Sequence, residues 1–338
     1  MRPLFYFFTV LVLAGSVSAQ WKRFPVATEA SFRGLSVVSE KIVWASGTAG
    51  TVVRTADGGR TWDVFRIPGA EKLDLRDIEA FDGRTAYALS IGNGDSSRIY
   101  KTIDGGKTWS LQFRNADEKA FFDAIACWDV STCIAMSDPI GGRYRLIATA
   151  DGGTSWLPLP EAALPAAKSG EAAFAASGTC LIVNGRTDAF LVTGGTDARV
   201  LRSADRGRTW SSAATPIVSG SAGSGIFSIA MFGASAGAIV GGNYEKPDLA
   251  GDTLAFTNDG GRTWTAASGL GGYRSGVAYL DRTTLVAVGT NGSDISADGG
   301  RTWQALDEAN YNVVQARGKK AVWAAGPKGL IAKLERRK

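Results

Sequence analysis

Short runs of residues, some apolar throughout and some alternating apolar with polar, recur along the chain between clusters of Gly, Ser, Asp and Thr. No long stretch carries apolar residues at helical spacing, so the runs read as β-strands. The first unit places strands at 35–38, 42–46, 51–55 and 62–66. Second strands of the same kind follow as TAYALS (85–90), TCIAMS (132–137), AFLVTG (189–194), GAIVGG (237–242) and TLVAVG (284–289). Their period-two or wholly apolar character fits strands packed between neighbouring sheets.

One eight-residue pattern punctuates these units: TADGGRTW (55–62), TIDGGKTW (102–109), TADGGTSW (149–156), SADRGRTW (203–210), TNDGGRTW (257–264) and SADGGRTW (296–303). Its aspartates, Asp57, Asp104, Asp151, Asp205, Asp259 and Asp298, are spaced by 47, 47, 54, 54 and 39 residues. That period suits one four-stranded propeller blade per repeat. Residues 311–334 reproduce three strands of a repeat and stop where the pattern should begin, while 21–26 (WKRFPV) open with Trp as the other fourth strands do. Joined, they make a composite blade from residues 20–26 and 310–334. The expected fold is therefore all-β: a seven-bladed β-propeller of four-stranded antiparallel blades, its ring closed by pairing of the N- and C-terminal strands, which removes two open sheet edges. The six aspartates read as structural, each accepting amide hydrogen bonds two or three residues on, with Gly supplying left-handed backbone and Trp burying its ring between sheets.

Composition narrows the classes of function. The 338 residues contain 43 Gly against 10 Pro, as a turn-rich β protein should. Met1-Arg2, an apolar stretch from Leu4 to Leu13 and the small residues Val17-Ser18-Ala19 read as a cleaved secretory signal over 1–19, leaving one propeller domain over 20–338 in the periplasm or outside the cell. No later segment is long and apolar enough for a transmembrane helix. Without the signal, 36 basic residues face 32 acidic ones with no basic stripe, so nucleic acid is not an expected partner. The chain has no His, which removes Ser-His-Asp and Cys-His systems and most zinc sites. SGSAGSG (219–225) does not follow a strand and open a helix, so no nucleotide cofactor is expected. GNGDSS (92–97) reads as a turn, with calcium ligation by its oxygens as the alternative. Cys127 and Cys133 flank a short turn and can pair across a hairpin; the alternative is three buried thiols, Cys180 included.

The S/T-x-D-x-G-x-T-W pattern resembles the Asp box, or BNR repeat, of sialidases, several glycoside hydrolases and sortilin-type receptors. Box density, blade count, leader and length look most like the photosystem II stability and assembly factor-like proteins. That resemblance implies an assembly chaperone docking onto a membrane-protein subunit. The sialidase resemblance implies a three-arginine carboxylate clamp with a Tyr nucleophile, a Glu and an acid/base Asp. Arg33, Arg76 and Arg274 with Tyr273 or Tyr311, Glu171 and Asp123 supply those types. FRIP at 65–68 follows the first box instead of preceding it, which puts Arg66 at the blade periphery.

Loops on a rigid scaffold commonly carry function. The face built from outer-to-inner and second-to-third strand loops gathers Arg33, Arg76, Asp77, Asp123, Glu171, Tyr273, Arg274, Tyr311 and Asn312 from the first set. The second set contributes Asp138, Arg143, Asn243, Tyr244, Glu245, Lys246, Asp294 and Lys328. Arg33, Arg76, Asp138, Arg143, Asn243, Tyr244 and Arg274 are the expected binding residues, for a protein partner or an anionic or glycan ligand, on a monomer. The hydrolase alternative draws on Asp123, Glu171, Tyr273 and Tyr311, or on paired carboxylates such as Asp123 with Asp138. A third reading pairs these charges with one another and gives them no ligand.

Overall fold

The structure, a computed structural model, describes residues 19–336. The expected leader lies outside them apart from Ala19. Seven antiparallel sheets are arranged as blades, and their inner strands run in chain order: Phe32–Val37, Leu75–Ala80, Phe122–Cys127, Leu181–Asn184, Ser224–Phe232, Gly276–Tyr279 and Val313–Ala316. Blades 1 to 7 are named after these. Blade 7 takes its fourth strand, Ala19–Phe24, from the other end of the chain, pairing Trp21 with Leu334 and Phe24 with Ile331. The ring thus closes as the repeat count requires. No helix among the described residues is long and apolar enough to cross a membrane.

Blade contacts repeat around the ring because the Trp after each turn meets the second strand of the preceding blade. Trp109 lies edge-on to Trp44 at 6.5 Å between centroids, Trp156 to Tyr87 at 6.2 Å and Trp62 to Trp323 at 5.8 Å. Edge-to-face aromatic pairs are favourable beyond the area they bury. The Trp62–Trp323 pair joins blade 1 to blade 7 and so locks the closure, with Phe24 of the borrowed strand 5.1 Å from Trp323.

The turns carry the expected amide bond three residues on, clearest where Arg262 N–H donates to Asp259 at 2.9 Å, and add two bonds from the residue four on. The Asp57 carboxylate accepts from the amide and hydroxyl of Thr61, four residues on, at 2.9 and 2.7 Å, while the Thr55 hydroxyl donates to it and accepts from Gly59 N–H. The same bonds recur at Asp104, Asp151, Asp205, Asp259 and Asp298. Two left-handed residues between Asp and Thr curl the chain so that the amide four residues on also reaches the carboxylate. Gly59 has φ +89°, and a Cβ there would lie 2.8 Å from the Trp323 ring, so both backbone and packing demand glycine.

Cys127 and Cys133 face each other in neighbouring strands of blade 3, Cα atoms 4.0 Å apart, and form a disulfide; Cys180 is free and buried. The oxygens of Asp95 in 92–97 pair with Arg98 and Arg114, so the turn alternative describes that loop.

Candidate functional site

A cavity of about 360 Å³ opens at the centre of one face. Its construction follows from one repeated irregularity. In blades 1, 2, 3 and 5 the inner strand slips by one residue near its start, between Phe32 and Gly34, Leu75 and Asp77, Phe122 and Ala124, and Ile226 and Ser228. In blades 6 and 7 two residues likewise oppose one, Ser275 and Gly276 against Val288, and Asn312 and Val313 against Ala325. A β-bulge leaves the extra residue unpaired and re-aims it. The bulged residues are Arg33, Arg76, Asp123, Phe227, Ser275 and Asn312, and all six line the cavity.

In blade 4 a chain segment over 173–179 crosses the opening instead. Arg33 Nη1 donates to the Ala176 carbonyl at 3.0 Å and Arg76 Nη1 to the Ala175 carbonyl at 3.2 Å. Asp138 Oδ1 accepts from Ala173 N–H at 2.8 Å, and Ser177 Oγ donates to the Ser275 carbonyl. The segment is therefore tied to blades 1, 2, 3 and 6 and forms the cavity floor. It also brings Phe174, stacked on Phe227 at 3.9 Å with planes 5° apart. Tyr273 meets Phe227 edge-on at 4.8 Å, and exposed Tyr244 stands edge-on to both Phe174 and Phe227 at 6.5 and 6.2 Å. One wall is thus aromatic and the other charged.

On the charged wall, Arg76 Nε is held by Asp74 at 2.7 Å, whereas Arg33 has no carboxylate within ion-pair distance among the described residues. Burial, and then the nearby Arg76 charge, lowers the Arg33 pKa. Burial and then the charge of Asp138 push the Asp123 carboxyl well above the ordinary range. Burial raises Asp138 to about 6 against the opposing pull of the Ala173 amide. Deeper in the channel burial also raises Asp77, which accepts from the amides of Ile78 and Ile125, and raises Glu79, with the Asp77 charge adding to it.

Of the residues expected at the site, Arg33, Arg76, Asp123, Asp138, Tyr244, Tyr273 and Asn312 come together at the cavity. Arg274 does not. It occupies the position before the bulge, equivalent to Phe32, Leu75, Phe122, Ile226 and Tyr311, and one residue of slip turns a side chain to the opposite face. There its Nε is 2.6 Å from Asp294 and its Nη1 bonds Asn291. Tyr311, at the same position in blade 7, bonds Asp307 and packs against Trp21. Glu171 is fully engaged with Arg199, whose Nε is 2.9 Å away. Arg143 is exposed and donates to the Leu164 carbonyl at 3.5 Å; Asn243 caps the Glu245 amide. Arg66 ends an outer strand and is exposed. The sialidase-like set of three arginines, Tyr and Glu is therefore not assembled in one place. Phe121, Phe174, Phe227 and Ser275 were not among the sequence-derived candidates. Aligning the inner strands on Leu35, Ile78, Ile125, Ile229, Val277 and Val314 would have revealed Phe227 and Ser275, since each bulged residue stands two before that apolar position.

No known family matches the sequence, and no curated protein does. Solved structures do match in fold. The chain is similar to YCF48. A structure of YCF48 bound to a D1 peptide superposes with a TM-score of 0.68 at 16% identity, covering 97% of this chain and 100% of that one. YCF48 from Cyanidioschyzon merolae superposes with a TM-score of 0.63 at 18% identity over 93% and 98%. A GH74 enzyme from Niastella koreensis gives 0.60 at 14% identity, over 93% of this chain but 53% of the enzyme. At these identities the likeness concerns the fold.

Proposed function

We propose that the protein is an exported binding scaffold, similar in role to an assembly factor, that recognises a segment of a partner protein in the central cavity of its loop face. The observation that carries this reading is the pairing, in one cavity, of Arg33 and Arg76 with a wall of stacked aromatic rings. Guanidinium forks suit carboxylates, and rigid aromatic surfaces bind side chains at small entropic cost. Both arginines are tied to backbone carbonyls, so their geometry is set before a ligand arrives, which reduces the ordering cost of binding. The likeness in fold to a protein solved with a bound peptide agrees with this reading.

The test is a pull-down from envelope extract with the mature protein and with Arg33→Ala/Arg76→Ala, both shown folded by thermal melting. The reading expects a partner retained by the native protein and weakened at least about tenfold in the variant, the loss of a charge-assisted contact. A partner held equally by both would refute the cavity as the binding site.

A second reading, glycoside hydrolysis, draws on the Asp123 and Asp138 carboxyls in the same cavity, both raised towards the proton-donating range. A panel of aryl glycosides separates the two, since a binding scaffold turns over none of them.

A further inference from the structure

Among the described residues, four carboxylates lie almost wholly out of solvent, Asp77, Asp123, Glu171 and Asp294, and three of them are supplied with partners. Asp294 is paired with Arg274, Glu171 with Arg199, and Asp77 accepts two amides. Asp123 is the exception: it is 1% exposed, its Oδ2 has no hydrogen-bond partner, and it lines the cavity. Leaving such an oxygen unpaired is costly, and an orphan of this kind calls for a partner from outside the chain. Asp138, across the same cavity wall, uses Oδ1 for the Ala173 amide, and neither acid forms an ion pair among the described residues.

The arrangement around them is dipolar. Arg33, Arg76 and Asp123 are the bulged residues of three successive blades, so two cations and one anion project in sequence around the rim, and Asp138 adds a second anion on the blade 3 side. Phe174, stacked on Phe227, directly follows Ala173, whose amide Asp138 holds, so rings and carboxylates border the same cavity. An aromatic face beside a carboxylate is a favourable environment for an ammonium or a guanidinium.

We propose that Asp123 and Asp138 form a cation subsite, which takes an ammonium or guanidinium group of the same peptide segment whose carboxylate meets Arg33 and Arg76; this rests on the cavity being the recognition site. The ligand class is then narrower than an anionic peptide. It is a segment with both charges, cation towards blade 3 and carboxylate towards blades 1 and 2, with an apolar group against the rings.

Asp123 faces Arg76 from blade 2 and Asp138 from its own blade, Asp138 also faces the Tyr144 phenol, and both acids face the buried Cys180 thiol before blade 4. With both carboxyls buried and the Asp138 charge adding to the shift of Asp123, a proton on the pair is favoured while no cation is bound, and an arriving cation displaces it to solvent. Binding of a cation-bearing ligand therefore releases protons near pH 6, and binding of a neutral analogue does not.

Three small probes test this by isothermal titration calorimetry: N-benzoyl-arginine, N-benzoyl-citrulline, which replaces the guanidinium by a neutral isostere, and N-benzoyl-argininamide, which lacks the carboxylate. The native protein should bind the arginine probe about tenfold or more tightly than the citrulline probe, the worth of a charge-assisted hydrogen bond. In Asp123→Asn or Asp138→Asn that preference should fall below about threefold with citrulline binding unchanged. The amide should bind more weakly than the acid while Arg33→Ala/Arg76→Ala erases that difference. Equal affinity for arginine and citrulline probes in the native protein overturns the cation subsite and leaves the cavity reading standing; that comparison needs no variant to fold. Failure of all three to bind overturns both.

Discussion

Arg274→Ala discriminates between the two places an arginine can occupy at the top of an inner strand. Arg274 and Asp294 side chains are 3% and 4% exposed, so truncating Arg274 leaves a buried carboxylate without its cation. Breaking a buried pair from one side costs about 3–5 kcal/mol, because the remaining charge stays desolvated. Arg33 is only half-buried and has no carboxylate partner among the described residues, so Arg33→Ala should cost under about 1 kcal/mol, as a substitution outside the core does. Urea unfolding followed by tryptophan fluorescence measures both. The double variant Arg274→Met/Asp294→Leu should recover most of the loss, since an apolar pair of similar size needs no compensation. Burial already raises the Asp294 pKa against the pull of Arg274, and removing Arg274 raises it further. A raised folded pKa gives stability that is present at low pH and lost as pH climbs through it. The deficit of Arg274→Ala should therefore be smaller at pH 5 than at pH 8. An unchanged unfolding midpoint in Arg274→Ala, or lost ligand binding in that variant with stability intact, would show that Arg274 serves the cavity and that the one-residue offset is wrong.

Two further outcomes are expected. Trp323→Ala, which removes a fully buried ring touching Trp62 and Phe24 at the closure, should destabilise by about 3–5 kcal/mol, and a loss below about 1 kcal/mol would mean that the ring closes without it. Stability should peak at mildly acidic pH. On the acid side the Thr61 amide and then its hydroxyl lower Asp57 to about 2, with counterparts in the other turns, so stability is lost as pH falls from about 4 towards 2. On the alkaline side the raised channel carboxyls Asp77, Glu79, Asp123 and Asp138 give stability that is lost as pH rises above about 4, through about 6 for Asp138. Melting temperatures across pH 2–9 check both limbs, and a plateau from pH 5 to 8 would contradict the second.

The blade count, the strand order and the borrowed closing strand were legible in the sequence because each rests on local chemistry repeated many times. Period-two apolar runs, left-handed glycines and a Trp at a fixed offset make every repeat announce itself, and the missing seventh turn at the end of the chain points to Trp21 at its start. Arg33, Arg76 and Asp123 were also legible, as polar residues where an apolar strand begins. What the sequence left open was decided by register. Arg274 and Ser275 are neighbours, and only the pairing with Val288 tells which of them is the bulged residue that faces the cavity and which turns between blades to meet Asp294. Glu171 was lost to the site for a related reason, since Arg199, 28 residues on, reaches it only when the short strand at Glu171–Ala172 pairs with Gly194–Gly195. The crossing segment over 173–179, with Phe174 on Phe227, has no counterpart in the other repeats and so carried no periodic signal. Local patterns determine what each strand is; a side chain's direction at a bulge depends on hydrogen bonds to a strand elsewhere in the chain, and those exist only in the folded ring.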